Sequence, residues 1–109
     1  MVHEFGPVSF SDGDASFVQL SGGDNAFIIQ EDGAYSIFCV GHPSQEGKGY
    51  SVVEIQLNGN PLATNFAEWI FRQSVSLTDY FFVGDSLQLY TSSSKPFVSF
   101  EGFCVLTHH

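Results

Sequence analysis

Turn-forming residues break this chain roughly every 8 to 12 residues, the spacing of a protein made of short strands. Asp12-Gly13-Asp14, Ser21 to Asn25, Glu31-Asp32-Gly33, Gly41 to Gly49, Asn58-Gly59 and Gly84-Asp85 are the interruptions. Between them, apolar and polar residues alternate in Pro7 to Ser11, Ala15 to Leu20, Tyr50 to Leu57 and Ser86 to Tyr90, each putting one set of side chains on either face of a ribbon, and Ala26 to Gln30 reads as a further short strand closed by Glu31-Asp32-Gly33. The pattern predicts an all-β protein, an antiparallel jelly-roll sandwich of about ten short strands.

Individual signals refine this. Asn58-Gly59 marks a two-residue hairpin turn, because both positions tolerate positive φ. Pro61 then has no N–H to give a ladder, so the returning strand belongs at a sheet edge. Phe66, Trp69 and Ile70 fall at helical spacing, but the segment is short and rich in residues that favour pleated surfaces, so 65–72 is expected as strand. Asp32-Gly33 is expected to make a tight reversal, and Gly41 to Gly49 an exposed, mobile loop.

With 109 residues, 43% of them hydrophobic, the chain builds one modest core, so residues 1–109 are read as a single domain. Twelve acidic against three basic side chains give a formal charge of −9, which argues against a nucleic-acid partner, since phosphate binding rests on Lys and Arg. No window approaches the ~20 apolar residues that cross a bilayer, so no membrane insertion is expected. Met1 to Gly6 lacks the basic start and apolar run of a signal peptide.

Three runs do not alternate: Ile37-Phe-Cys-Val40, Tyr80-Phe-Phe-Val83 and Phe103-Cys-Val-Leu106 are apolar on both faces. An antiparallel sheet normally has one wet face. If the three runs share a sheet, Phe38, Val40, Phe81, Val83, Phe103 and Val105 supply an apolar surface larger than a soluble monomer usually exposes. A second copy of the chain is the economical cover, and closed symmetry the expected form.

Candidates for chemistry are few. Cys39 and Cys104 stand 65 positions apart in strongly apolar surroundings. Two buried thiols are expected, with a disulfide between adjacent strands as the alternative. Such surroundings do not make a nucleophile, which needs electropositive, partly exposed ones. His3, His42, His108 and His109 share no metal-ligand spacing, and Asp12, Asp14, Asp24, Glu31 and Asp32 lack a calcium-loop pattern and read as turn carboxylates. No metal or cofactor is expected. Glu54 and Glu68 are the carboxylates from which a glycosidase pair could be drawn, although sequence does not set their separation. Trp69 and the tyrosines could stack on a sugar; in so aromatic a chain they are expected in the core or at an interface.

Asp32-Gly-Ala-Tyr-Ser-Ile37, Gly84-Asp-Ser-Leu-Gln-Leu89 and Phe100-Glu-Gly-Phe103, in that order, resemble the motifs of the complement C1q and tumour-necrosis-factor jelly-roll superfamily over about residues 26 to 107. The family has Phe where this chain has Ile37, and Leu-Leu where it has Cys104-Val105. The resemblance implies a ten-strand jelly roll whose inner sheet, holding strands near 34–41, 76–83 and 98–107, packs about a three-fold axis. Its compact form is similar to bacterial and phage relatives, which implies an extracellular, spore-surface or virion-associated setting. The function expected is a non-enzymatic homotrimeric head that binds a surface ligand, carbohydrate or protein, through Asp12, Asp14, Asp24, His42, Gln45, Glu46 and Lys48 in the loops. A monomeric carbohydrate-binding module is the alternative.

Overall fold

A computed structural model describes residues 2–4, 9–10, 18–20, 26–95, 98 and 100–109, with side chains for 26–95, 98, 100 and 104–109. Among the described residues the elements are all strands: β1 (Val2–Glu4), β2 (Ser9–Phe10), β3 (Val18–Leu20), β4 (Ala26–Ile29), β5 (Gly33–Pro43), β6 (Gly47–Leu57), β7 (Asn60–Ile70), β8 (Gln73–Phe81), β9 (Ser86–Ser93) and β10 (Phe100–His108). They form two sheets. One has the order β3-β4-β9-β6-β7, with β1 also paired to β9; the other has the order β2-β10-β5-β8. Pairing is antiparallel except between β2 and β10.

The chain winds around one turn. Asn58 (φ 52°) and Gly59 (φ 85°) join β6 to β7, both in the left-handed region that the two-residue hairpin demands. Outward from that turn the pairings nest: β6 with β7, β5 with β8, β4 with β9. From β4 to β10, every connection other than this hairpin passes from one sheet to the other. Hence Asp32-Gly33 is no hairpin turn. It carries the chain between sheets, and Gly33 is needed for a different reason: a Cβ there would run into the His108 ring. β7 lies at the edge of its sheet, where Pro61 costs no ladder bond, and a register shift between Ile55 and Gln56 marks a bulge beside it. Residues 65–70 are strand as expected, but the expected 41–49 loop is mostly strand too: β5 runs on to Pro43 and β6 starts at Gly47, leaving Ser44 to Glu46 as the connection.

Alternation sets the core. Phe27 and Ile29 of β4, Val53 and Ile55 of β6 and Leu87 and Leu89 of β9 face Tyr35, Ile37 and Cys39 of β5, Val75 and Phe81 of β8, and Cys104 and Leu106 of β10. A smaller cluster of Ile70, Val98 and Phe100 closes the end of the sandwich near Pro43. Cys39 and Cys104 are directly opposite each other on β5 and β10 and form a disulfide, their Cα atoms 4.1 Å apart. The buried free thiols expected from sequence are therefore a bond between adjacent strands. It closes a loop of 65 residues in sequence separation. Restricting the unfolded chain to that loop is worth about 4 kcal/mol on the chain-entropy scale. Replacing both cysteines by Ala should lower the free energy of urea unfolding by about that amount; equal midpoints for the parent protein with and without reductant would show that no such bond forms.

Candidate functional site

The four-stranded sheet has an outer face that is partly open among the described residues. Register places Phe38 opposite Val105 and Val40 opposite Phe103, one residue out of phase with the inward Cys39–Cys104 pair. Phe38 is 43% exposed, Val105 is half-buried, and Val40 is buried without joining the core cluster. The side chain of Phe103 lies outside the described residues. On the neighbouring strand the same face carries Ser74, Ser76 and Thr78, opposite Val40, Phe38 and Ser36. Ser36 Oγ is 2.8 Å from Thr78 Oγ1 and also meets His109 Nε2, so the C-terminal pair of histidines is tied into this sheet. A depression of about 230 Å³ lined by Phe38, Val40, Arg72, Gln73 and Ser74 opens at the end of the stripe. Gln73 donates to Ser51 Oγ from the buried side, and its Oε1 has no hydrogen-bond partner among the described residues.

This face is narrower than the sequence suggests. Phe81 pairs with Gly33 on the core side of β8 and is fully buried against Tyr35, with ring centroids 6.1 Å apart, so it belongs to the core and not to the outer surface. β8 ends there. Val83 sits in the following turn, where Asp85 N donates to Phe82 O at 3.0 Å and Gly84 adopts φ 93°, the glycine position of a type II turn. Val83 is exposed, but at the sheet's end instead of on its face. The strands that carry the three doubly apolar runs do share a sheet, yet among the described side chains the outer apolar stripe is made by β5 and β10, with the half-exposed Tyr80 of β8 beside it opposite Ala34.

Of the expected loop surface, Asp12, Asp14 and Asp24 lie outside the described residues. His42, Gln45, Glu46 and Lys48 are all exposed, around the β5–β6 connection. All three basic side chains are gathered at that end, where Glu46, Glu68 and Glu101 also lie. Lys48 is opposite Trp69, Arg72 follows β7, and the Lys95 ammonium lies over Gly47. Glu31, Asp32, Asp79 and Asp85 collect at the other. There the turn carboxylates cap backbone N–H groups: Val83 N donates to Asp32 Oδ1 at 2.7 Å and Phe82 N to Asp85 Oδ2 at 2.9 Å. Among the described residues no group of three His, Cys, Asp or Glu is placed to hold a metal ion.

The six-stranded sheet holds what sequence reasoning missed. Ser51, Val53 and Ile55 of β6 point inward, so Tyr50, Val52, Glu54 and Gln56 point out, and the register puts Phe66 beside Val52, Thr64 and Tyr90 on either side of Glu54, and Gln88 beside Gln56. Tyr50 and Phe66, 51% and 58% exposed, stack with centroids 5.7 Å apart. Glu54 is only 9% exposed although it lies on the outer side. Gln56 Nε2 donates to its Oε2 at 2.7 Å and Thr64 Oγ1 to its Oε1 at 3.0 Å. Alternation could have found these neighbours, but only once the Gly49-Tyr50 irregularity in register was known.

No protein-family model matches this chain, and no curated protein is significantly similar to it.

Tyr35 links the acidic end to the core. Its hydroxyl donates to Glu31 O at 2.6 Å and its ring stacks on His108 at 4.4 Å. Burial, then the charges of Glu31 and Asp32, raise its pKa above the usual 10.0. Above pH ~10 the unfolded chain loses this proton first, so unfolding is favoured there; the associated stability is present below that pH and lost as pH rises through the folded value. The thermal midpoint should therefore fall above pH ~10. Tyr35→Phe should flatten part of that fall while costing about 1 kcal/mol at neutral pH for the lost hydrogen bond. An unchanged alkaline slope in the variant would contradict this assignment.

Proposed function

We propose that this chain is a jelly roll of the C1q and tumour-necrosis-factor type, a non-enzymatic head domain that assembles as a homotrimer through the outer face of its four-stranded sheet and presents its remaining surface to a ligand. The observation that carries this is the apolar stripe on the two central strands of that sheet, where Phe38 is 43% exposed and Val105 half-buried beside the buried Val40 on the side away from the core. Two further features support it. The nested pairing about Asn58-Gly59 is in keeping with the winding of a jelly roll, and the sheet that unites β5, β8 and β10 is the one the family resemblance would place at the three-fold axis. Neither cysteine is free to act as a nucleophile, since they bond to each other.

The disulfide also fits a setting outside the reducing cytosol, in keeping with an extracellular, spore-surface or virion-associated location. Flanking hydroxyls of Ser74, Ser76 and Thr78 would form the polar rim of the contact, around an apolar centre. Repetition of one weak ligand contact three times on such a head gains avidity without any new interaction.

Native mass measurement should give three copies, and Phe38→Asp should give one, because a carboxylate buried without a partner at a subunit contact costs on the order of 3–5 kcal/mol. Three copies of Phe38→Asp, or one copy of the parent, would overturn the interface. A parent that is monomeric and still binds sugar would establish the monomeric carbohydrate-binding module instead, a reading favoured by the exposed Tyr50–Phe66 pair.

A further inference from the structure

The outer face of the six-stranded sheet combines three features rarely found together on a surface that only meets water. Tyr50 and Phe66 are large, exposed and mutually stacked. Their placement is built: a register irregularity between Lys48 and Ser51 sets Gly49 and Tyr50 together against Glu68, with Gly49 at φ 129°, and this returns Tyr50 to the same side as Val52 and Phe66. Next to them is a carboxylate that is nine-tenths buried, a condition glutamate seldom meets without a cationic partner. The basic side chains are elsewhere: Lys48 is opposite Trp69, Lys95 over Gly47, and Arg72 beyond the end of β7. Glu54 is held instead by Gln56 and Thr64, each taking one lone pair from a different oxygen. A carboxylate oxygen has two such sites, so both oxygens can accept again. Tyr90 flanks Glu54 across the strand pair, and Gln88 flanks Gln56.

We propose that this face binds a neutral oligosaccharide, its ring faces resting on Tyr50 and Phe66 and its hydroxyls bonded to Glu54, Gln56 and Tyr90. Each part of the surface selects for that chemistry. An aromatic face offers an apolar body to the C–H side of a pyranose. An oriented carboxylate and amide accept from and donate to adjacent hydroxyls, and charge-assisted bonds to a pre-positioned carboxylate are the stronger kind. Phe66 is the diagonal neighbour of Glu54, about 7–8 Å away in such a sheet, so one ring can meet both. Tyr50 is four residues from Glu54 along β6, roughly 13 Å at strand rise, which extends the platform past a single sugar. Glu54 disfavours an anionic ligand, as does the chain's charge of −9. A second copy of the chain would set Glu54 opposite another acidic surface, whereas subunit interfaces are depleted of charge at their centres.

This site names the ligand of the head domain proposed above and rests on its recognition role, but not on its trimerisation, since it lies on the other sheet. The test uses the full, disulfide-bonded chain, labelled with nitrogen-15 and titrated with cellohexaose, chitohexaose, maltohexaose and mannohexaose, with a heparin hexasaccharide as the anionic comparison. Saturable shifts of the amides at 50–56, 64–66 and 88–90 with at least one neutral probe are expected, and none with heparin. Tyr50→Ala and Glu54→Gln should each weaken that binding by about tenfold or more, the size of one lost stacking or charge-assisted contact. Phe66→Leu, which keeps an apolar core-compatible side chain but no ring, should do the same while leaving the thermal midpoint within a few degrees of the parent. Phe38→Asp should bind the sugar with unchanged affinity whether or not it alters the mass. Failure of all four neutral probes, shifts confined to other strands, a preference for heparin, or unweakened binding by both Tyr50→Ala and Phe66→Leu would each overturn the proposal. Native mass on the same samples separates such a failure from failure of the trimer.

Discussion

The pairing of β5 with β10 holds this architecture together. It joins nine pairs of residues from Phe100↔Pro43 to His108↔Tyr35, and the rest of the four-stranded sheet is added to its two free sides, β8 on one and β2 on the other. These are among the most distant partners in sequence, and bringing them together costs chain entropy that local contacts do not repay. The Cys39–Cys104 bond lowers that cost by keeping the partners close in the unfolded chain. It also fixes phase. A slip of one residue would turn every side chain of a strand to the opposite face. With the sulfurs bonded on the inside, Ile37 and Leu106 must complete the core, and Phe38, Val40 and Val105 must lie outside it. The apolar outer stripe is thus a consequence of the same bond that stabilises the interior.

Features governed by local backbone chemistry were legible in the sequence. Asn58-Gly59 could be placed as a hairpin because few dipeptides accept positive φ twice in succession, and Pro61 could be put at an edge because it lacks a donor. The association of three doubly apolar runs in one sheet also followed from composition along the chain. What failed depended on partners distant in sequence. Gly33 looks like a turn glycine, but its constraint is the ring of His108, 75 positions away, brought there by β10. Gly47 and Gly49 look like loop residues, yet the edge of a sheet absorbs them by an irregular register. In Tyr80 to Val83 the apolar run suggested one strand apolar on both sides; in fact the strand ends at Phe81, which faces inward, and the remainder makes a turn fixed by Asp85 and Gly84. A run of apolar residues records that burial or contact occurs without recording where a strand stops.

Among the candidate sites, the cysteines show the same limit from the other side. Their apolar neighbours are equally consistent with free thiols and with a bond, and only register distinguishes the two. Glu54 is the converse case. In the sequence it stands on an ordinary alternating strand and could be noted only as one half of a possible carboxylate pair with Glu68. Its burial arises from Thr64 across the strand pair and from Gln56 two residues on, so its peculiarity exists only after folding.

The two outer faces have opposed chemistry, and this restricts how the molecule can meet others. On the four-stranded sheet the centre is apolar and the margin is hydroxyl-bearing, an arrangement that loses little on desolvation. On the six-stranded sheet the centre is a carboxylate already nine-tenths buried and bonded to two neutral donors, beside which a second acidic surface would add like charge without a compensating cation. A contact between two copies would suit the first face better than the second, where it would set like-charged carboxylates against each other. Assembly through the first face would leave the second pointing outward, with its aromatic pair exposed beside the oriented, largely buried carboxylate. A hydroxyl-rich ligand can replace that water bond for bond, and a ring can cover Tyr50 and Phe66 at the same time. A contact between copies on the proposed face is thus compatible with the other sheet's remaining free to bind.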